Sequence, residues 1–382
     1  MTANRAAPLP PPLPANRAAP LPLPADRLAP LPADGAAPLP ADLAFVTGRL
    51  RPYLADLLAA EQVSWKEHGA PWWDAPQALA SFLGGGKALR PRFCYWGYAI
   101  GARRSGPMLL RACAALELLH AFALIHDDLM DGSATRRGVP VLHRQLAAEH
   151  RQQRWAGDPD AYGHAVALLT GDLAFALASR LTAMLPARAR AVWADIVQEL
   201  TIGQFLDLAG TARQDHSAEI ARTTALLKSG RYTVTGPLRL GAVLAGQDDL
   251  PASLVRYGDL VGEAFQLRDD LLGVFGDPAR TGKPVGEDLR AGKPTLLLAW
   301  AGAMLPPGQQ PLLARAGSPA LTDEDVVDLT GALDACGVRE RVERRIGSNV
   351  TTARALLRDT PLAGPAREAL GGLAAAAAHR RT

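Results

Sequence analysis

From Asp42 onward, apolar residues return every three or four positions, and that regularity restricts the chain to a helical body. The pattern runs through residues 43–60, 109–124, 165–185, 192–208, 218–245, 254–274, 295–304 and 326–333. A last stretch, 354–378, is rich in Ala and Leu with basic residues at its edges. Breakers stand between these segments, among them Gly84-Gly85-Gly86, Pro186, Gly246, Pro251 and Pro306-Pro307. No segment shows the two-residue alternation of a half-buried strand. Residues 42–382 therefore read as one all-α domain of about ten helices with no clear internal linker.

The first 41 residues are different material. ANRAAPLP occurs at Ala3–Pro10 and again at Ala15–Pro22, with ADRLAPLP and ADGAAPLP after it. Twelve of the 31 prolines precede Ala41. Proline at this density removes backbone donors and blocks helix, so the expectation for 1–41 is a disordered, polyproline-like tail.

The charge balance, 41 − 38 = +3 over 382 residues, is too small to argue for a nucleic-acid partner. Three cysteines, Cys94, Cys113 and Cys336, are far apart and form no CxxC pair. That fits a reducing cytoplasm better than a disulfide framework. No uncharged apolar run reaches the ~18 residues of a spanning helix, and the N-terminus lacks the apolar stretch of a signal peptide. The expectation is a cytoplasmic protein with no transmembrane segment.

The sharpest chemical feature is His126-Asp127-Asp128-Leu129-Met130-Asp131, at the C-terminal end of an apolar helix. Asp127 and Asp131 are four apart and share a face. Three carboxylates crowded there repel one another and the negative end of the helix dipole. Magnesium, which takes carboxylates together with substrate phosphate oxygens, would offset that repulsion. Alone, the pattern also fits a solvated acidic helix end. A second pair, Asp269-Asp270, ends another apolar helix. Two such helix ends are what a pocket with ions on opposite walls requires.

Basic residues fall in clusters that suit the matching anions. Gly84–Gly86 leads into Lys87, Arg90 and a helix N-terminus. Arg136-Arg137 follows the first acidic cluster, and guanidinium forks bind phosphate bidentately. Lys228, Lys283 and Lys293 come later.

With these residues in place, the chain resembles the trans-isoprenyl diphosphate synthases, or polyprenyl synthetase family, in its geranylgeranyl diphosphate synthase-like form. The resemblance spans roughly 42–299 and rests on an ordered set: GGGKALRP, ELLHAFALIHDDLMD, RRG, GDLAFALA, GQFLDL, KSGRYT, FQLRDD and GKPVGEDLRAGKPT. It implies a single-domain helical bundle of the isoprenoid-synthase type around a central cavity. It implies that Asp127, Asp128, Asp131, Asp269 and Asp270 hold magnesium, three ions per active site. Lys87, Arg90, His120 and Arg137 would hold isopentenyl diphosphate. Arg136, Lys228, Lys283 and Lys293 would hold the allylic diphosphate, with Lys228, Ser229 and Gln266 acting near the developing cation. A homodimer is implied as well.

Two positions depart from the pattern. Gly273 stands where many members have a third Asp, and Ser229 where Thr is frequent. Phe122 and Ala123, five and four residues before Asp127, match the residues that set the floor under the growing chain. An aromatic followed by a small residue resembles the geranylgeranyl-type pattern, which implies a twenty-carbon product, with farnesyl diphosphate as the alternative. A class I terpene cyclase also begins from DDxxD, but its Asn-Asp-x-x-Ser/Thr-x-x-x-Glu motif is missing. A non-catalytic regulatory subunit would be favoured by loss of the first aspartates, and these are present.

Overall fold

The structure is a computed structural model and describes residues 41–67, 74–101, 106–136, 138–215, 217–277 and 285–378. The proline-rich repeats, Arg137 and Lys283 lie outside the described residues.

The helix Pro107–Met130 forms the centre because its sequence leaves it no exposed side over most of its length. Leu109, Leu110 and every residue from Ala112 to Leu119 are buried. A helix apolar all round has no face to offer water, so other helices surround it. Pro107 opens it at the first position, where its missing N–H is no loss. Leu89–Ala99, Pro159–Ala183 and Gly236–Leu244 pack against it. Pro107–Met130 and Pro159–Ala183 are long and apolar enough to cross a membrane by length and composition. The first of them is this central helix, which other helices enclose.

A second layer is built on Ala252–Phe275, which packs against Val338–Asp359 and Gly364–Ala378. Tyr257 ties this layer down by donating its hydroxyl to the Leu370 carbonyl at 2.7 Å. The core is accordingly divided into clusters, one around the central helix and others around Ala252–Phe275 and the C-terminal helices.

The structure refines the sequence reading in three places. The Ala/Leu-rich stretch 354–378 spans parts of two helices. Its first residues end Val338–Asp359, and a break at 360–363 containing Pro361 precedes Gly364–Ala378. Helices Ala75–Leu83, Leu89–Ala99, Leu142–Gln153 and Val338–Asp359 add to those the periodicity picked out. The segment 218–245 is continuous helix but changes its winding. Between Ala218–Ala225 and Gly236–Leu244 it runs as a π-helix, Leu226–Thr235. Glycines clamp that wide segment on two sides. A Cβ on Gly203 would lie 2.2 Å from the Lys228 backbone nitrogen, and one on Gly262 would lie 2.5 Å from Gly230 Cα. Backbone therefore touches backbone, and Lys228 is placed with little slack.

Candidate active site

The first acidic wall owes its shape to how the central helix stops. Asp131 is the last residue in helical conformation, and Gly132 turns left-handed at φ 61°. Gly132 N–H bonds the Leu129 carbonyl at 3.3 Å and Ser133 N–H bonds that of Asp128 at 3.0 Å. This paired closure satisfies the last carbonyls and favours a residue without Cβ at the reversal. The chain then folds back through a short antiparallel pair, Thr135–Arg136 with Val139–Pro140. That return brings Arg136 onto Asp128. Its Nε and Nη2 donate to the two carboxylate oxygens at 2.9 and 2.8 Å, and Asp127 lies 3.7 Å away. Asp128 is buried, so this fork holds one carboxylate rigid while Asp127 and Asp131 stay half-buried on the adjoining face.

Two lysines balance those carboxylates. The π-helical segment carries Lys228, whose ammonium donates to Asp127 at 2.9 Å and to Asp207 at 2.5 Å. Lys293 reaches Asp131 at 2.5 Å. Burial disfavours both ammonium charges, but Asp127 and Asp207 outweigh it at Lys228, and Asp131 with Asp127 outweighs it at Lys293. Both lysines are held above their ordinary values. Burial also works against the Asp127 charge, yet Lys228, Lys293 and Arg136 hold that carboxyl down at about 2. Gln204 adds an amide contact at 3.3 Å.

The second wall is the end of Ala252–Phe275. Asp270 is buried, and burial pushes its carboxyl up to about 8, with Asp288 and Asp207 adding to the rise. Gln266 donates to it at 2.8 Å. The Gln266 amide is thus engaged with a carboxylate, a contact that the expected role beside the cation did not foresee. Asp269 is half-buried beside Asp270. At Gly273, a Cβ would sit 1.9 Å from Oδ2 of Asp288. The glycine that replaces a third aspartate therefore makes room for a carboxylate arriving from another helix, Glu287–Ala291.

A separate basic pocket lies at the start of Leu89–Ala99. Lys87 is exposed after the glycine turn, and Arg90 is buried one position inside the helix. Arg90 donates to Tyr232 and, at 3.0 Å, to Thr233 Oγ1. His120 meets the same Tyr232 hydroxyl through Nδ1 at 2.8 Å. Ser229 is half-buried on the π-helical segment next to Lys228.

Below the first wall, Phe122 stacks on His126 and Phe175, with ring centroids 4.4 and 5.1 Å away. His126 itself lies over Gly171 and contacts the Leu168 carbonyl at 3.2 Å. Phe122 and Ala123 are both only half-buried.

Among the described residues, no three His, Cys, Asp or Glu side chains converge tightly enough to hold an ion unaided. The donors are all hard carboxylates spread over two walls. That set fits magnesium, which binds through one or two carboxylates and completes its shell with water and substrate phosphate. It does not fit zinc or copper, which select imidazole and thiolate.

A polyprenyl synthetase family model matches residues 75–330, which take in both acidic walls and the basic pocket. The chain belongs to the polyprenyl synthetase family. It is 34% identical to the geranylgeranyl diphosphate synthase of Mycobacterium tuberculosis over 297 residues, 75% of this chain and 79% of that one. It is 31% identical to the nonaprenyl diphosphate synthase of the same organism over 287 residues, 74% and 81% of the two chains. A crystal structure of geranylgeranyl pyrophosphate synthase from Corynebacterium glutamicum, complexed with isoprenyl diphosphate and magnesium, superposes with a TM-score of 0.82 at 37% identity. It covers 90% of this chain and 100% of that one. This polyprenyl synthetase is a trans-prenyltransferase with the family's helical-bundle fold.

Sequence reasoning passed over four residues that the structure places in or against the site. Asp207 and Gln204 both sit in GQFLDL, which helped carry the resemblance, yet neither was assigned a role. Tyr232 sits in KSGRYT and Asp288 in GKPVGEDLRAGKPT, and these too were unassigned. An Asp between Leu206 and Leu208 was the available signal for Asp207, because burying an unpaired carboxylate is expensive.

Proposed function

We propose that this enzyme condenses isopentenyl diphosphate with allylic diphosphates and releases geranylgeranyl diphosphate as its main product. The observation that carries the reading is the arrangement of two carboxylate walls with Lys228 and Lys293 between them, at the end of an apolar helix that continues downward past Ala123 and Phe122. Asp127, Asp131, Asp269 and Asp270 would hold the magnesium ions, three in number, with Asp128 clamped by Arg136. Magnesium there supplies positive charge against the departing diphosphate.

The residues of the chain do the remaining work. Lys228, Lys293 and Arg136, with Lys283, provide fixed positive charge where diphosphate charge grows as the allylic C–O bond breaks. Ser229 and Gln266 place neutral polar atoms beside the allylic cation that results. Apolar walls below Asp127 keep water away from that cation. Lys87, Arg90, His120 and Arg137 hold isopentenyl diphosphate so that its double bond attacks. The proton lost afterwards passes to the released diphosphate. The small Ala123, about one turn below Asp127, leaves the upper cavity open, and its neighbour Phe122 is assigned to the floor by the resemblance.

Farnesyl diphosphate is the alternative product. Purified protein incubated with isopentenyl diphosphate and each allylic primer, followed by chromatography of the dephosphorylated products, decides between them. A main product of thirty-five carbons or more would reject both. The enzyme would act as a homodimer. Exposed Leu168, Leu169, Ile202 and Phe205, on Pro159–Ala183 and Ala187–Arg213, support that assembly. Light scattering on the wild type and on Phe205→Glu tests it; a monomeric wild type rejects the dimer.

A further inference from the structure

Tyr232 is 5% exposed and lies in the π-helical segment, four residues after Lys228. Its hydroxyl has two partners of different kinds. Arg90 Nη2 donates into it, and His120 Nδ1 lies 2.8 Å away. The Arg90 guanidinium also lies over the phenol ring, 4.2 Å from its centroid, which fixes the plane of the fork.

The proton count decides the direction of the chain. A guanidinium only donates. The phenol oxygen therefore accepts from Arg90, and burial keeps its own proton in place despite the opposing pull of Arg90. That proton is then available to His120 Nδ1. A neutral imidazole that accepts at Nδ1 carries its hydrogen on Nε2. The reverse arrangement would point two donors at one phenol oxygen and send its proton elsewhere.

We propose that Tyr232 is a positioning residue: by bonding Arg90 and His120 together it locks His120 as the Nε2–H tautomer and aligns the Arg90 fork, so that both present donors to one anion. This rests on the reading that Arg90 and His120 hold the diphosphate of isopentenyl diphosphate. Each group donates to phosphate oxygen, and a His120 with Nε2 unprotonated would instead turn a lone pair toward it. Tyr232 thus acts on the substrate through its two neighbours.

The test uses Tyr232→Phe, which keeps the ring and the stacked guanidinium but removes the hydroxyl. Histidine ring ¹⁵N spectra of the full-length protein, with the His120 signals identified by their loss in His120→Gln, report the tautomer without substrate. The expected wild-type form at pH 8 is Nε2–H, and Tyr232→Phe should lose that bias. In steady-state kinetics, Tyr232→Phe should raise KM for isopentenyl diphosphate about tenfold, the scale of one lost hydrogen bond to a charged site. KM for the allylic diphosphate should stay within about twofold, and the melting temperature should hold. An Nδ1–H or doubly protonated ring in the wild type overturns the proposal, as does an unchanged tautomer in Tyr232→Phe. Arg90→Lys separates this from the site reading. If that variant leaves KM for isopentenyl diphosphate unchanged, the diphosphate lies elsewhere, and the ¹⁵N spectra still decide the role of Tyr232.

Discussion

The carboxylate of Asp288 rests directly on Gly273: an added Cβ would come within 1.9 Å of Oδ2 and 2.4 Å of Cγ. One helix gives up a side chain and another fills the space with a carboxylate. The second wall therefore keeps three acidic residues, Asp269, Asp270 and Asp288, although the sequence reads as having lost one. We expect Gly273→Ala to displace Asp288 while leaving the helical content unchanged. The magnesium concentration for half-maximal rate should rise about tenfold, the range seen when groups that support metal ligands are disturbed. A magnesium titration of initial rates checks this, and an unchanged midpoint would separate Asp288 from the ions.

Asp127 is the most heavily engaged carboxylate of the first wall, facing Lys228, Gln204 and Arg136. Asp127→Ala should lower turnover by about a hundredfold or more, the scale of removing one preorganised electrostatic group. Circular dichroism should show the fold intact, because Lys228 keeps Asp207 as a partner. Near-normal turnover with magnesium present would remove Asp127 from the ion site.

Product length tests the floor. Phe122→Ala should lengthen the main product by at least one five-carbon unit, and Ala123→Phe should shorten it. Phe122 also packs on Phe175 and His126. Its truncation therefore carries a stability cost as well, below the ~3–5 kcal/mol of a fully buried phenylalanine because Phe122 is half-buried. Product distributions should be compared at a temperature where both variants remain folded. If both keep the wild-type distribution, the floor lies on another helix.

A stability prediction concerns Glu263, about two turns before Asp270 on the same helix. It is 5% exposed and accepts from Arg345 at 2.6 Å and from Arg222 at 3.1 Å. Burial opposes its charge, but Arg345 and Arg222 hold its carboxyl below the usual glutamate value. The folded protein therefore holds this proton less readily than the unfolded chain. The stabilisation is fully present above the ordinary glutamate value of 4.5, begins to fade below it, and is lost as pH falls on through the lower value of the folded state. Glu263→Gln should lower the melting temperature at pH 7 by a few degrees and shrink the gap to wild type toward pH 4. A gap that stays constant across that range would show that the carboxylate charge contributes nothing.

What could be read from the sequence was whatever repeated or clustered. Asp127 with Asp131, and Asp269 with Asp270, announce themselves by spacing along one helix. The all-helical body follows from periodicity alone. The π-helical segment Leu226–Thr235 was invisible because ten residues of wider winding barely disturb an apolar pattern whose spacing already varies between three and four. Asp207, Tyr232 and Asp288 escaped for a different reason. Each makes its contact with a residue more than ten positions away, and no local spacing marks such a pair. The break at Pro361 was legible and was passed over, because the Ala/Leu composition ran across it.

The wide segment links the acidic wall to the basic pocket. Lys228 faces the aspartates from its start, while Tyr232 and Thr233 meet Arg90 one turn later. One stretch of winding therefore sets the angle between the first acidic wall and the basic pocket at Arg90. Deleting one residue within 229–231 with the winding otherwise unchanged would rotate everything after it by about 100°. Lys228 would keep Asp127 only if Tyr232 lost Arg90. The acidic wall and the basic pocket are geared to each other, and neither can be remodelled by insertion or deletion here without turning the other.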